Sequence, residues 1–130
     1  MRPSGARQVL IVDDEESMRL LLGRYVGSLP GTEITLAGGC EEALRLTRDR
    51  SFDLILLDLL MPGIGGIEVL SRIRAGSLNA ATPVIIVSVM ADPDTKNVCK
   101  ALGIDDYIVK PVERESLLAA VRARIGARAN

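Results

Sequence analysis

The sequence predicts an α/β fold, a three-layer doubly wound sandwich in which a five-stranded parallel sheet carries helices on both faces. Three observations lead there. Five short aliphatic runs recur along the 130 residues. The runs are continuous rather than alternating, as parallel strands covered on both faces require. Segments with helical periodicity lie between them, so each strand joins the next through a right-handed crossover.

The first run, VLIV at 9–12, leads into a helix with an apolar stripe of Met18, Leu21, Leu22, Tyr25, Val26 and Leu29. The second, ITLA at 34–37, ends in Gly38-Gly39. The third, LILL at 54–57, is followed by a shorter stripe of Ile67, Leu70 and Ile73, with Gly76 at the expected C-cap. The fourth, VIIV at 84–87, precedes Asp92-Pro93, an N-cap with proline at the first helical position, and that helix is expected to stop at Gly103. The fifth, YIV at 107–109, leads to a helix with Leu117, Leu118, Val121 and Ile125 on one face. Glu113 and Glu115 at its start, and Arg122, Arg124 and Arg128 towards its end, suit the helix dipole. One domain over 8–127 is expected, between a flexible tail at 1–7 and a short one at 128–130.

Composition narrows the function. Sixteen basic against seventeen acidic residues supply no general attraction to nucleic acid or to an anionic membrane. Tyr25, Phe52 and Tyr107 are the only aromatics, so the core is aliphatic and no base-stacking platform exists. The start of the chain lacks the apolar stretch of a secretory signal, and no run is long enough to span a membrane. Cys40 and Cys99, far apart and outside any CxxC spacing, read as free, partly buried thiols of a cytoplasmic protein. Histidine is absent, which removes imidazole acid/base catalysis and histidine-ligated zinc.

The residue after each run is more informative. Asp13 and Asp14 follow the first, Asp58 the third, Ser88 the fourth and Lys110 the fifth; only the second ends blandly. In an open α/β sheet, ligands bind beyond the carboxyl ends of the strands, where the strand order reverses. With the order 2-1-3-4-5, the bland strand is an edge and the four polar endings meet in one crevice. Singly, each residue has an ordinary explanation: a helix cap for Asp14 or Asp58, a turn for Ser88, a solvated side chain for Lys110. Together they change the balance. Three carboxylates in one crevice repel unless cations compensate, and Lys110 supplies only one charge. An all-oxygen site with room for water suits Mg²⁺, or Mn²⁺ in its place. Asp58 is then a carboxylate nucleophile for a phosphoryl group. Asp13, Asp14 and the Leu60 backbone carbonyl would complete the metal site, while Lys110 and the Ser88 hydroxyl would hold phosphoryl oxygens.

These residues resemble the receiver domain of bacterial two-component response regulators. The stretches that carry the likeness are VLIVDDE, DLILLDLLMPG, VIIVS and GIDDYIVKP, in that order, and the likeness covers essentially the whole chain from Gln8 to about Ala127. The resemblance implies a flavodoxin-like (βα)5 fold and phosphotransfer to Asp58 from a sensor histidine kinase or a phosphotransfer protein. It also implies a Val89 backbone contact to the phosphoryl group, a cis peptide before Pro111, and switching by Ser88 and Tyr107. The switch would remodel the surface of the fourth helix, fifth strand and fifth helix, where Lys96, Asn97 and Lys100 are expected to be exposed. That face would take an effector protein or an output domain, or form a dimer on phosphorylation. No nucleic-acid or membrane contact and no enzymatic turnover beyond the domain's own phosphotransfer and dephosphorylation are expected.

The chain departs from the family at three places. Val89 stands where a small residue is usual, Leu60 where many relatives are polar, and Gly65 where an aspartate is common. Val89 and Leu60 lead us to expect a long-lived phosphorylated state. Two other readings stand beside the phosphoacceptor. A pseudo-receiver would keep the fold as a phosphorylation-independent interaction module. An aspartate-nucleophile phosphohydrolase would need a second aspartate where Leu60 stands. A nucleotide-binding fold lacks its glycine-rich cradle, because the first strand runs into Asp-Asp-Glu-Glu. No output domain is visible, so the chain reads either as a stand-alone receiver or as a piece of a longer protein.

Overall fold

In the computed structural model, which describes residues 5–76 and 78–125, strands and helices alternate without exception. They are β1 (Arg7–Val12), α1 (Glu16–Gly27), β2 (Thr32–Ala37), α2 (Cys40–Asp49), β3 (Leu54–Leu57), α3 (Gly65–Ala75), β4 (Val84–Ser88), α4 (Pro93–Ala101), β5 (Asp106–Val109) and α5 (Arg114–Ile125). The sheet is parallel throughout, in the order β2-β1-β3-β4-β5. β1 begins at Arg7, inside the stretch expected as a tail. The Arg7 N–H donates to the Gly31 carbonyl (2.7 Å), and Arg7 pairs with Thr32. Arg128 and the C-terminal tail lie outside the described residues.

The continuous aliphatic runs divide between the two faces because successive strand residues point to opposite sides. Val9, Ile11, Leu54, Leu56, Ile85 and Val87 pack with α1 and α5 through Leu22, Val26, Leu117 and Val121. Leu10, Val12, Ile55, Leu57 and Ile86 pack on the other side with Leu44 of α2, Val69 and Leu70 of α3, and Cys99 of α4. The edge strands β2 and β5 are only half-buried. Both cysteines are free and buried, Cys40 with its Sγ 3.5 Å from the Pro62 carbonyl oxygen.

Helix ends follow local chemistry. Asp92 caps α4, its Oδ2 accepting from the Thr95 N–H (3.0 Å) and hydroxyl (2.8 Å), with Pro93 in the first turn. Gly103 follows the C-cap Leu102 at φ 77. Gly76 caps α3 at φ −78, a conformation open to any residue. Glu113 sits just before α5 and accepts the Leu117 N–H through its carbonyl. At the base of the sheet, the Arg74 guanidinium donates to the carbonyls of Thr82, Leu102 and Gly103, fastening α3 to the α4–β5 turn.

Candidate functional site

The sheet register decides which strand ends meet. Val12 pairs with Leu57, Leu57 with Ile86, and Ser88 with Val109, so the residues that follow emerge side by side. The ladder continues one step past the strands. The Asp13 N–H donates to the Ala37 carbonyl (3.1 Å), Asp58 to Val12 (3.0 Å) and Lys110 to Ser88 (2.9 Å). These bonds fix the backbone of three polar residues before any side-chain contact is made.

The side chains then close on one another. Lys110 Nζ lies 2.9 Å from Asp13 Oδ2 and 3.1 Å from Asp58 Oδ2, joining residues that stand far apart in the chain. Asp13 and Asp58 are buried, whereas Asp14 is exposed. One carboxylate oxygen from each of the three lies within 4.8 Å of the others. Burial acts to lower the Lys110 pKa, but the hydrogen bonds and charges of Asp13 and Asp58 outweigh it, and the ammonium is held above its ordinary value.

Neither buried carboxylate is a helix cap. Asp13 Oδ1 accepts from the Glu15 N–H (2.9 Å), and Asp58 Oδ1 from the Leu60 N–H (3.2 Å). α1 has no side-chain cap at Glu15, and α3 does not begin until Gly65. Each carboxylate therefore grips its own loop with one oxygen and Lys110 with the other. Three carboxylates against one ammonium leave an excess of negative charge. The donors are all oxygen, one of the carboxylates is open to solvent, and such a set fits a hard divalent cation.

The other expected residues line the same edge. Ser88 is fully buried, and its Oγ accepts from the Met90 N–H (3.2 Å), so the hydroxyl engages the β4–α4 loop. The Tyr107 hydroxyl donates to the Met90 carbonyl (2.6 Å). Both polar groups of one backbone residue, Met90, are thus held by Ser88 and Tyr107. Burial pushes the Tyr107 phenol above its ordinary pKa, with smaller contributions from Cys99, Asp92 and Asp58. Lys96 lies over the Tyr107 ring (5.5 Å to the centroid) and is half-buried there, a correction to its expected exposure; Asn97 and Lys100 are exposed. Leu60 and Val89 are exposed, at 51% and 56%. The Lys110–Pro111 peptide is cis.

Sequence reasoning passed over two residues at this edge. Gly66 brings α3 against the β3 exit, and its N–H donates to the Leu59 carbonyl (3.0 Å). A Cβ there would lie 2.4 Å from the Asp58 carbonyl oxygen and 2.5 Å from Leu59 Cα. Arg19, in the first turn of α1, donates from Nη1 to the Asp13 carbonyl (2.8 Å). The paired glycines were a readable sign of a close approach, and a cation at a helix N-terminus was a readable anomaly.

A profile of the response regulator receiver domain matches residues 9–122. The phosphate regulon transcriptional regulatory protein PhoB of Pseudomonas aeruginosa is 34% identical over 117 residues, 90% of this chain and 51% of that protein. The chain spans about half the length of the curated relatives it matches. The chemotaxis protein CheY4 of Vibrio cholerae superposes with a TM-score of 0.85 at 30% identity, covering 92% of this chain and 98% of that one. The receiver domain of the sensor histidine kinase PA1611 from Pseudomonas aeruginosa, solved with a magnesium ion coordinated in its active-site cleft, has a TM-score of 0.83 at 26% identity, covering 94% and 99%.

Proposed function

This chain belongs to the response regulator receiver domain family, and from that premise we propose that it accepts a phosphoryl group on Asp58 and passes the change to a partner through its α4–β5–α5 face. The observation that carries the reading is the Lys110 ammonium bonded at once to Asp13 and Asp58 at the carboxyl end of the sheet.

In the forward step an Asp58 oxygen attacks the phosphorus of a partner's phosphohistidine. An O–P bond forms, the N–P bond breaks, and the electron pair returns to the imidazole. Asp13, Asp14, Asp58 and the Leu60 carbonyl would hold Mg²⁺ or Mn²⁺, which when bound neutralises charge on the phosphoryl oxygens. Lys110 releases Asp58 Oδ2 to the new bond and keeps its charge for a phosphoryl oxygen. The Ser88 hydroxyl and the Val89 N–H supply further donors. Leu60 and Val89, apolar and exposed at the site's edge, hinder the water whose attack on phosphorus would cleave the O–P bond and regenerate the carboxylate.

Met90 connects the site to the surface. When Ser88 turns its hydroxyl to the phosphoryl group, the Met90 N–H loses its acceptor, and the Tyr107 bond to the Met90 carbonyl shares the rearrangement. Bonds in that one loop differ between the two states, so phosphorylation shifts their populations. Beside it lies a groove of about 370 Å³ lined by Pro93, Lys96, Lys100, Ile104, Asp106 and Tyr107, the surface offered to an effector, an output domain or a second copy. A phosphohistidine donor, whether a histidine kinase or a phosphotransfer protein, must be a partner, because this chain has no histidine of its own.

Intact-mass measurement after treatment with a small acyl-phosphate donor and Mg²⁺ tests the reading. A gain of one phosphoryl group, absent in Asp58→Asn, is expected. No gain in the folded wild-type protein would assign the chain to phosphorylation-independent binding instead.

A further inference from the structure

We infer that Arg19 is a positioning residue for cation binding, holding the Asp13 backbone so that the acidic loop is preset, and that Gly38 is the space its guanidinium requires. The inference rests on the reading of Asp13, Asp14 and Asp58 as a divalent-cation site.

Arg19 is unusual for where it stands. The first turn of a helix carries a partial positive charge that disfavours a cation, yet Arg19 sits there in α1. Its side chain reaches back across the helix N-terminus to the end of β1, where Nη1 donates to the Asp13 carbonyl at 2.8 Å. Asp13 is consequently held on every side. Its N–H donates to the Ala37 carbonyl, its carbonyl accepts from Arg19, and its Oδ1 accepts from the Glu15 N–H.

The two cations of the site divide the work. Lys110 takes carboxylate oxygens of Asp13 and Asp58 directly. Among the described residues Arg19 forms no ion pair with a carboxylate, so it fixes the loop without consuming a ligand atom. A neutral donor in that place would hold the carbonyl more weakly, since charge-assisted hydrogen bonds are the stronger kind.

Gly38 gives the apparently bland end of β2 a purpose. A Cβ on it would lie 3.1 Å from Arg19 Nη1, 3.5 Å from Cζ and 3.8 Å from Nη2. The guanidinium therefore lies against the bare glycine, and a branched side chain there would displace it. The Gly38 N–H is itself fixed by Glu42 Oε1 at 2.8 Å.

Removing a group that orients a metal ligand commonly weakens metal affinity by about 10–100-fold. Calorimetric titration of the full chain with Mg²⁺ tests the idea on wild type, Arg19→Ala, Arg19→Lys and Gly38→Val, each checked for folding by circular dichroism. Arg19→Ala is expected to raise the Kd about tenfold. Arg19→Lys should recover part of that loss by restoring a charged donor. Gly38→Val should weaken binding in wild type and add nothing in the Arg19→Ala background, because both act through one contact. Wild-type affinity in folded Arg19→Ala, or in Gly38→Val if the alanine variant does not fold, overturns the inference. Absence of Mg²⁺ binding by the wild type would overturn the cation-site reading and this inference with it, a distinct result.

Discussion

Gly66→Ala separates local propensity from tertiary packing, because the two predict opposite signs. Gly66 is the second residue of α3, and replacing glycine by alanine within a helix ordinarily stabilises it by about 1 kcal/mol. Here the added Cβ would meet backbone, 2.4 Å from the Asp58 carbonyl oxygen and 2.5 Å from Leu59 Cα. Non-bonded carbon atoms prefer about 3.5–4.0 Å, so roughly 1 Å must be opened against the Asp58–Leu59 peptide. Backbone cannot swing aside as a side chain does, and the start of α3 must lift from the strand exit. Lifting loses the hydrogen bond from the Gly66 N–H to the Leu59 carbonyl, about 1 kcal/mol, and overpacking adds about 1–3 kcal/mol. After the propensity gain, the net loss is about 1–3 kcal/mol, and for a domain of this size the melting temperature falls by about 4–12 °C. Thermal unfolding followed by circular dichroism measures it, with the rate of phosphorylation by a small donor as a second readout, since Asp58 and Leu60 flank the displaced backbone. Gly65→Ala is the comparison. Gly65 has φ 84 and nothing within 4 Å of the added carbon, so only left-handed strain of about 1–2 kcal/mol applies and the close contact is absent. A Gly66→Ala protein as stable as wild type, or more stable, would refute the steric argument.

Two further outcomes are expected. The phosphorylated protein should persist well beyond seconds, and Leu60→Asn with Val89→Ala should shorten its life by admitting and orienting water; decay of the wild-type adduct within seconds in a mass-spectrometric time course contradicts this reading of the apolar rim. Tyr107 has a pKa raised mainly by burial, so its contribution to stability is complete below the ordinary phenol value of about 10 and is lost as pH rises through the higher folded value. Alkaline unfolding curves and phenolate absorbance should show that loss in the wild type and lack it in Tyr107→Phe.

Sequence alone marked the strand runs and the candidate residues Asp13, Asp14, Asp58, Ser88 and Lys110. Each is a local property: apolar continuity marks a doubly covered strand, and a polar residue directly after it has nowhere to go but the sheet's end. The Asp92-Pro93 start of α4 was equally legible, since a cap and its helix are neighbours. Tertiary structure decided what no local pattern contains. Lys110 selects Asp13 and Asp58 as its partners and leaves Asp14 open to solvent. Met90, an ordinary methionine in sequence, binds both Ser88 and Tyr107 because its backbone rather than its side chain is used. Lys96, expected in solvent, lies half-buried on Tyr107. Gly66 and Gly38 matter for atoms they lack, and the neighbours that need the space come from the loop leaving β3 and from α1. Periodicity reports which face of an element is buried; which backbone or guanidinium arrives there depends on crossovers that bring distant segments within a few ångströms.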